Sequence, residues 1–213
     1  MNNKGMVDVI MQYKITIIED LEPHNPQPEW DILPVAKLTQ PSDATEQGIF
    51  AQAALCYQPG LGMMARLWAF EVGPARGETQ NGEKSRLALA LAPNPARPDD
   101  YLSVTFEPDG TLTAYTVINK NTLAIENTKS LSFLAFAGGD LQGEYWGGTF
   151  LLPQQLLNDS FGCSPYKSGD RITGNMLHTG MVEGAQATMA FFPISGKELS
   201  NPKQFGTFEF IHF

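Results

Sequence analysis

The sequence predicts an all-β fold: a single-domain antiparallel β-sandwich, immunoglobulin-like or jelly-roll-like, of about eleven strands. Three observations predict it. Short apolar stretches alternate in polarity with period two, as half-buried strands do. Turn-forming Gly, Pro, Asn and Asp recur at close intervals between them. No stretch carries an amphipathic helical pattern of ordinary length. A chain of 213 residues can bury a sizeable core without metal or disulfide support. Residues 1–12 read as an N-terminal arm and 13–213 as one sandwich domain.

Tyr13 to Ile18 alternates and is rich in Ile, so it opens the strands. Glu19 to Glu29 contains Pro23, Pro26 and Pro28 and reads as an extended crossing loop. Ile32 to Leu38 is a second short strand, stopped by Pro41. Ile49 to Gln58 fits helix or strand on pattern alone, and Pro59-Gly60 ends it as a turn. Met63 to Val72 is a long strand with Arg66, Trp68 and Phe70 on one face and Leu67, Ala69 and Glu71 on the other. Gly73 to Gly82 follows as a polar loop.

The run Leu87-Ala88-Leu89-Ala90-Leu91 puts every Leu on one side of a strand and every Ala on the other. Ala and Leu also suit a helix, but the Pro-rich stretch from Pro93 to Pro98 cuts the run short and favours a strand. Tyr101 to Phe106 and Thr111 to Val117 alternate about Asp109-Gly110, a hairpin signature because that pair suits positive φ. Leu131 to Phe136 is an apolar run ended by Gly138-Gly139. Glu144 to Leu152 is a strand containing Trp146, and Pro153 opens a short helical turn through Leu157. Arg171 to Leu177, Thr188 to Phe192 and Gly206 to Phe213 complete the strands.

A net charge of −9, with no cluster of Lys and Arg, argues against nucleic acid and anionic membrane surfaces as partners. No run of about 18 apolar residues exists, so no membrane span is expected. Val7 to Met11 is too short for a signal sequence and Asp8 interrupts it, which makes the cytoplasm the expected compartment. Cys56 and Cys163 permit one disulfide; two buried free thiols is the favoured reading.

No catalytic constellation emerges. His24, His178 and His212 are far apart, each without a nearby ligand-type partner in sequence, and none makes a zinc spacing. There is no Gly-x-Ser-x-Gly elbow. Asp99-Asp100, Asp140 and Asp170 lie beside Gly or Pro and read as turn residues, with a calcium site as the alternative. Glu71, Glu78 and Glu83 cluster in sequence; surface charge is the favoured reading, and a glycoside hydrolase using Glu71 or Glu78 is the alternative. No cofactor is expected. Of the tryptophans, Trp68 and Trp146 lie inside strands and read as core, while Trp30 follows the Pro-rich loop.

Four places resemble family 9 carbohydrate-binding modules and their single-domain relatives. They are Trp30 ahead of a strand; Tyr145-Trp146-Gly147 leading to Leu152-Pro153 and Leu156-Leu157; Gly174-Asn175-Met176; and Phe192-Pro193-Ile194 followed by Asn201-Pro202-Lys203-Gln204-Phe205-Gly206. Their order matches over residues 28 to 213. The resemblance implies a sandwich and a mono- or oligosaccharide ligand. In sugar-binding members two Trp residues clamp the sugar, helped by a Glu and an Arg. Those positions fall here on Leu199, on Asn81 or Gly82, on Leu87 and on Ser103, and none is retained. Leucine offers no flat stacking face and serine no guanidinium fork.

A replacement site follows from strand parity. If Ala88 and Ala90 face outward they leave a shallow trough, lined by Trp68, Glu71, Arg76, Glu78 and Gln80. The expectation is therefore a non-catalytic binding module for carbohydrate. Its alternative is an interaction or scaffold protein of the same fold that has lost sugar binding.

Overall fold

The computed structural model describes residues 11–22, 26–42, 50–71, 84–126, 128–141, 143–182 and 185–212. The described strands are β1 (Gln12–Ile17), β2 (Val35–Lys37), β3 (Gln40–Pro41), β4 (Phe50–Gln58), β5 (Gly62–Phe70), β6 (Arg86–Ala92) and β7 (Tyr101–Phe106). They continue as β8 (Leu112–Ile118), β9 (Asn121–Ala124), β10 (Leu134–Asp140), β11 (Gly143–Pro153), β12 (Arg171–Val182), β13 (Ala185–Ala190) and β14 (Gly206–Ile211). Among the described residues one α-helix, α1, spans Gln154–Phe161.

All fourteen strands join one curled sheet, with main order β10-β11-β5-β4-β1-β14-β12-β6-β7-β8-β9. It folds back on itself as a sandwich. Phe106 of β7 meets Trp146 and Phe150 of β11 across the interior, at ring separations of 6.0 and 6.3 Å. The fold is the expected all-β sandwich with more strands than the pattern showed. Most pairings are antiparallel, but β1 runs parallel to both neighbours, β14 and β4.

Period-two patterning decides what lies inside. Leu87, Leu89 and Leu91 of β6, Met63, Ala65, Leu67 and Ala69 of β5, and Ala51, Ala53, Leu55 and Tyr57 of β4 all enter the main core. The opposite side of β6 does not face water. Ala88 and Ala90 are buried under Tyr101, Leu177, Ala190, Ile194 and Leu199. The trough expected over these alanines is filled by the chain itself. Small side chains let the covering segment approach closely, so they mark a packing surface here.

Local chemistry explains several boundaries. The β7–β8 hairpin forms as expected, but only Gly110 takes positive φ (86°), while Asp109 accepts the Thr111 N–H at 2.8 Å. A second hairpin, β8–β9, was not expected; it turns through Asn119 and Lys120, both at positive φ. Asp100 steadies it by accepting the Asn119 N–H at 2.8 Å. Pro153 caps α1, which runs past Leu157 to Phe161 and stops at Gly162 in the left-handed region (φ 67°). The segment read as a strand from Ile32 begins as a 3-10 turn, Trp30–Ile32, and only Val35–Lys37 pairs.

Both cysteines are free and buried. Cys56 belongs to a small cluster on the outer side of β4 and β5, whereas Cys163 belongs to the main core. The sheet lies between them, which explains why they do not pair.

Candidate functional site

The outer face of β4, β5 and β11 is partly crossed by the segment before β2. Leu33 anchors that segment, buried against Ala54, Cys56 and Met64. The Tyr13 hydroxyl donates to the Pro34 carbonyl at 2.6 Å and fixes its far end. The 3-10 turn then stands Trp30 and Asp31 beside the strands. On β5, Arg66, Trp68 and Phe70 point outward at successive alternate positions, as their parity predicts. Register sets Gln52 of β4 opposite Trp68 and Tyr145 of β11 opposite Phe70.

These residues enclose an open groove of about 320 Å³ lined by Trp30, Asp31, Val35, Gln52, Arg66, Trp68, Phe70 and Tyr145. Its floor depends on two glycines. A Cβ at Gly147 would lie 2.3 Å from the Leu67 carbonyl, 2.7 Å from the Phe136 ring and 2.8 Å from the Trp68 Cβ. A Cβ at Gly138 would lie 2.6 Å from the Tyr145 hydroxyl. Without those side chains Phe136 and Tyr145 lie across the sheet. Phe50, Phe70, Tyr145 and Phe136 then form a continuous aromatic row, with neighbouring ring centres 5.1 to 6.4 Å apart. The Arg66 guanidinium sits 5.4 Å from the Trp68 ring centre and 4.9 Å from that of Phe136, within cation–π range.

Such a groove combines flat apolar rings with a few fixed polar groups. Half-buried Trp30, Trp68 and Tyr145 offer surfaces for the C–H face of a ring-shaped ligand. Asp31 and Gln52 supply acceptors, and Gln52 and Arg66 supply donors. Chemically this arrangement can make stacking and hydrogen-bonding contacts. Among the described residues, no group of three or more His, Cys, Asp or Glu is placed to hold a metal ion.

Trp68 and Glu71 do not meet. Three residues apart on an extended strand, they lie on opposite faces, and Glu71 points into the core. There Glu71 accepts the Trp146 indole N–H on Oε2 at 2.7 Å and the Ser85 hydroxyl on Oε1 at 3.0 Å. His178 Nε2 lies 2.9 Å from the same Oε1. A carboxyl group that already receives two donors is an acceptor, so this pattern assigns the His178 proton to Nε2. Nδ1 is buried without a hydrogen-bond partner. Gly180 makes the room, since a Cβ there would lie 2.2 Å from Glu71 Oε1. His178 thus has a close acidic partner that lies 107 positions away in sequence. Glu71 is a buried structural acceptor on the far side of the sheet from the groove.

Arg76, Glu78 and Gln80, with Glu83, lie outside the described residues. Of the acids that read as turn residues, Asp100 and Asp170 do shape turns; Asp170 accepts the Lys167 N–H at 2.8 Å. Three of the positions where the family's sugar site falls are packed: Leu199 against the Ala88 side of β6, Leu87 in the main core, and Ser103 buried on β7; Asn81 and Gly82 lie outside the described residues. Trp146 is core, as expected, while Trp68 is on the surface. Sequence reasoning missed that Trp30 and Trp68 share one site, and that Gln52 and Arg66 belong to it. Only the parity of Arg66 with Trp68 signalled any part of this.

A second hollow, of about 300 Å³, lies between Pro93–Pro95 and the stretch Gly162–Arg171. Pro93, Pro95, Pro165, Tyr166, Asp170 and Arg171 are among the residues that line it, and burial raises the Cys163 thiol above its ordinary value.

No family model matches the sequence, and no curated protein matches it. Solved structures do match. One is a protein of Bacteroides uniformis solved as a candidate carbohydrate-binding protein, at TM-score 0.68 and 15% identity, covering 93% of this chain and 98% of that one. Another is a family 9 carbohydrate-binding module of Caldicellulosiruptor kristjanssonii in complex with cellotriose, at TM-score 0.65 and 10% identity, covering 95% of each chain. A family 9 module of the same organism in complex with glucose matches at TM-score 0.62 and 10% identity, covering 95% of this chain and 97% of that one. The chain therefore resembles these modules in fold over nearly its whole length.

Proposed function

We propose that this chain is a non-catalytic carbohydrate-binding module that holds a mono- or oligosaccharide in the outer-face groove. One observation carries the reading: Trp30 and Trp68, far apart in sequence, converge with Tyr145 around Asp31, Gln52 and Arg66. Rings flanked by planar donors and acceptors are what a sugar needs, because its C–H face is apolar and its rim is polar. Sharing a fold with modules seen holding cellotriose and glucose supports the same reading. The groove lies away from Leu199, Leu87 and Ser103, three of the positions on which the family's sugar-binding residues fall.

A second reading rests on the rim. Ile32, Val35 and Phe50 are 60%, 43% and 36% exposed, and such apolar edges favour a protein partner. A tryptophan fluorescence titration with neutral mono- and oligosaccharides separates the two. A saturable shift for one sugar class supports the saccharide site. No response up to millimolar concentration, equivalent to about 4 kcal/mol of binding, rejects it in favour of a protein partner.

A further inference from the structure

Resting on that saccharide reading, we propose that the preferred ligand is acidic: an oligosaccharide containing a uronic-acid residue, whose carboxylate pairs with Arg66. Four arginines are described, and three of them have a carboxylate within ion-pair distance. Arg97 lies 3.4 Å from Asp100, Arg171 lies 3.2 Å from Glu209, and Arg86 lies 4.0 Å from Glu198. Arg66 has no such partner among the described residues, and its Nε is buried without any acceptor. It is also the most enclosed by aromatic rings, with Trp68 and Phe136 against it. Asp31 lines the same groove, and among the described residues it forms no ion pair with Arg66.

This arrangement restricts what can satisfy the cation. A guanidinium partly withdrawn from water keeps its charge, because it does not deprotonate in proteins. Two aromatic rings lie against it, and Nε is sealed off. Hydrogen bonding is left to the edge presented by the terminal nitrogens, in the guanidinium plane. A planar anion with two acceptor oxygens fits that edge bidentately, and such charge-assisted pairs are about twice as strong as neutral ones. A sugar hydroxyl offers one neutral acceptor and leaves the charge uncompensated. A uronic acid carries both required parts: a ring for Trp68 and Trp30, and a carboxylate for Arg66.

The test uses the full chain with length-matched pairs of oligosaccharides, each neutral sugar beside its uronic-acid counterpart (glucose, galactose and mannose series), measured by calorimetric titration at pH 7. The expected result is that the acidic member of at least one pair binds about tenfold or more tightly. That preference weakens as salt rises from about 0.05 to 0.5 M, while neutral binding stays constant. Arg66→Gln, checked for an unchanged unfolding midpoint, abolishes the gap by lowering the acidic member's affinity to that of its neutral partner; Arg66→Lys keeps part of it. The proposal is overturned if neutral sugars bind and their acidic partners bind no better, or if the preference survives in Arg66→Gln. In those cases the saccharide site still stands. Failure of every sugar to bind rejects both readings.

Discussion

Replacing Glu71 by alanine tests whether the core depends on one buried acceptor. Glu71 is 4% exposed and joins three groups from three parts of the chain: Ser85 just before β6, Trp146 on β11 and His178 on β12. Truncation removes the acceptor and leaves the Trp146 and His178 N–H groups facing an apolar void. Each buried polar group left unsatisfied costs about 1–3 kcal/mol. His178 is already without a partner at Nδ1, so the imidazole would then have none at either nitrogen. The sum for the two, about 2–6 kcal/mol, spans the roughly 3–5 kcal/mol that breaking a buried pair costs elsewhere. With an m-value of about 2–3 kcal/mol/M in urea, the midpoint should fall by about 1–3 M. Glu71→Gln keeps one acceptor but sets an NH₂ against an N–H or hydroxyl donor, so its loss should be smaller, about 1–3 kcal/mol. Urea unfolding followed by tryptophan emission measures both. A loss under about 1 kcal/mol in Glu71→Ala would show that the three donors find other acceptors and would refute the reasoning.

Three further perturbations follow from burial and close packing. Burial raises the Cys56 thiol to about 12 and the Tyr101 phenol to about 12, and it also raises Tyr13, Tyr57 and Tyr166. Groups whose folded value lies above the unfolded one stabilise fully below the unfolded value, so stability should be constant to pH of about 9 and fall from there towards 12, by about 1.4 kcal/mol per pH unit for Cys56 alone. Urea midpoints at pH 8, 9.5 and 11 check this, and a constant midpoint would contradict it. Gly147→Ala places a Cβ 2.3 Å from a backbone carbonyl and should cost about 1–3 kcal/mol while displacing Phe136. Gly139→Ala, whose Cβ meets nothing nearer than 3.7 Å, should change stability by under about 0.5 kcal/mol.

Where local chemistry decides structure, the sequence was a good guide. The Leu–Ala alternation of β6 and the Asp109-Gly110 turn each announce a strand or hairpin through a handful of adjacent residues. The β9 strand shows what is lost without such signals: Asn121–Ala124 is exposed throughout and carries no buried face, and Lys120 is an unusual residue for positive φ. Parity alone separates Trp68 from Glu71, so their placement on opposite faces was legible. Coverage was not. Whether Ala88 and Ala90 face water or chain depends on where the segment bearing Ile194 and Leu199 returns, a long-range outcome that no strand pattern records. The meeting of Trp30 with Trp68, and of Glu71 with His178, is of the same kind. Such pairs are set by sheet order and register, and the sequence between them does not encode the distance.

The central claim is that the Trp30–Trp68 groove binds sugar, and the most direct measurement compares one saccharide across three proteins by calorimetric titration. These are the wild type, Trp68→Ala, and Arg171→Ala in the second hollow, each with its unfolding midpoint recorded. Removing an aromatic platform at the centre of a site costs about 2 kcal/mol or more, so Trp68→Ala should weaken binding at least about thirtyfold while Arg171→Ala binds as the wild type does. Undiminished affinity in a folded Trp68→Ala protein would place the sugar elsewhere and contradict the account.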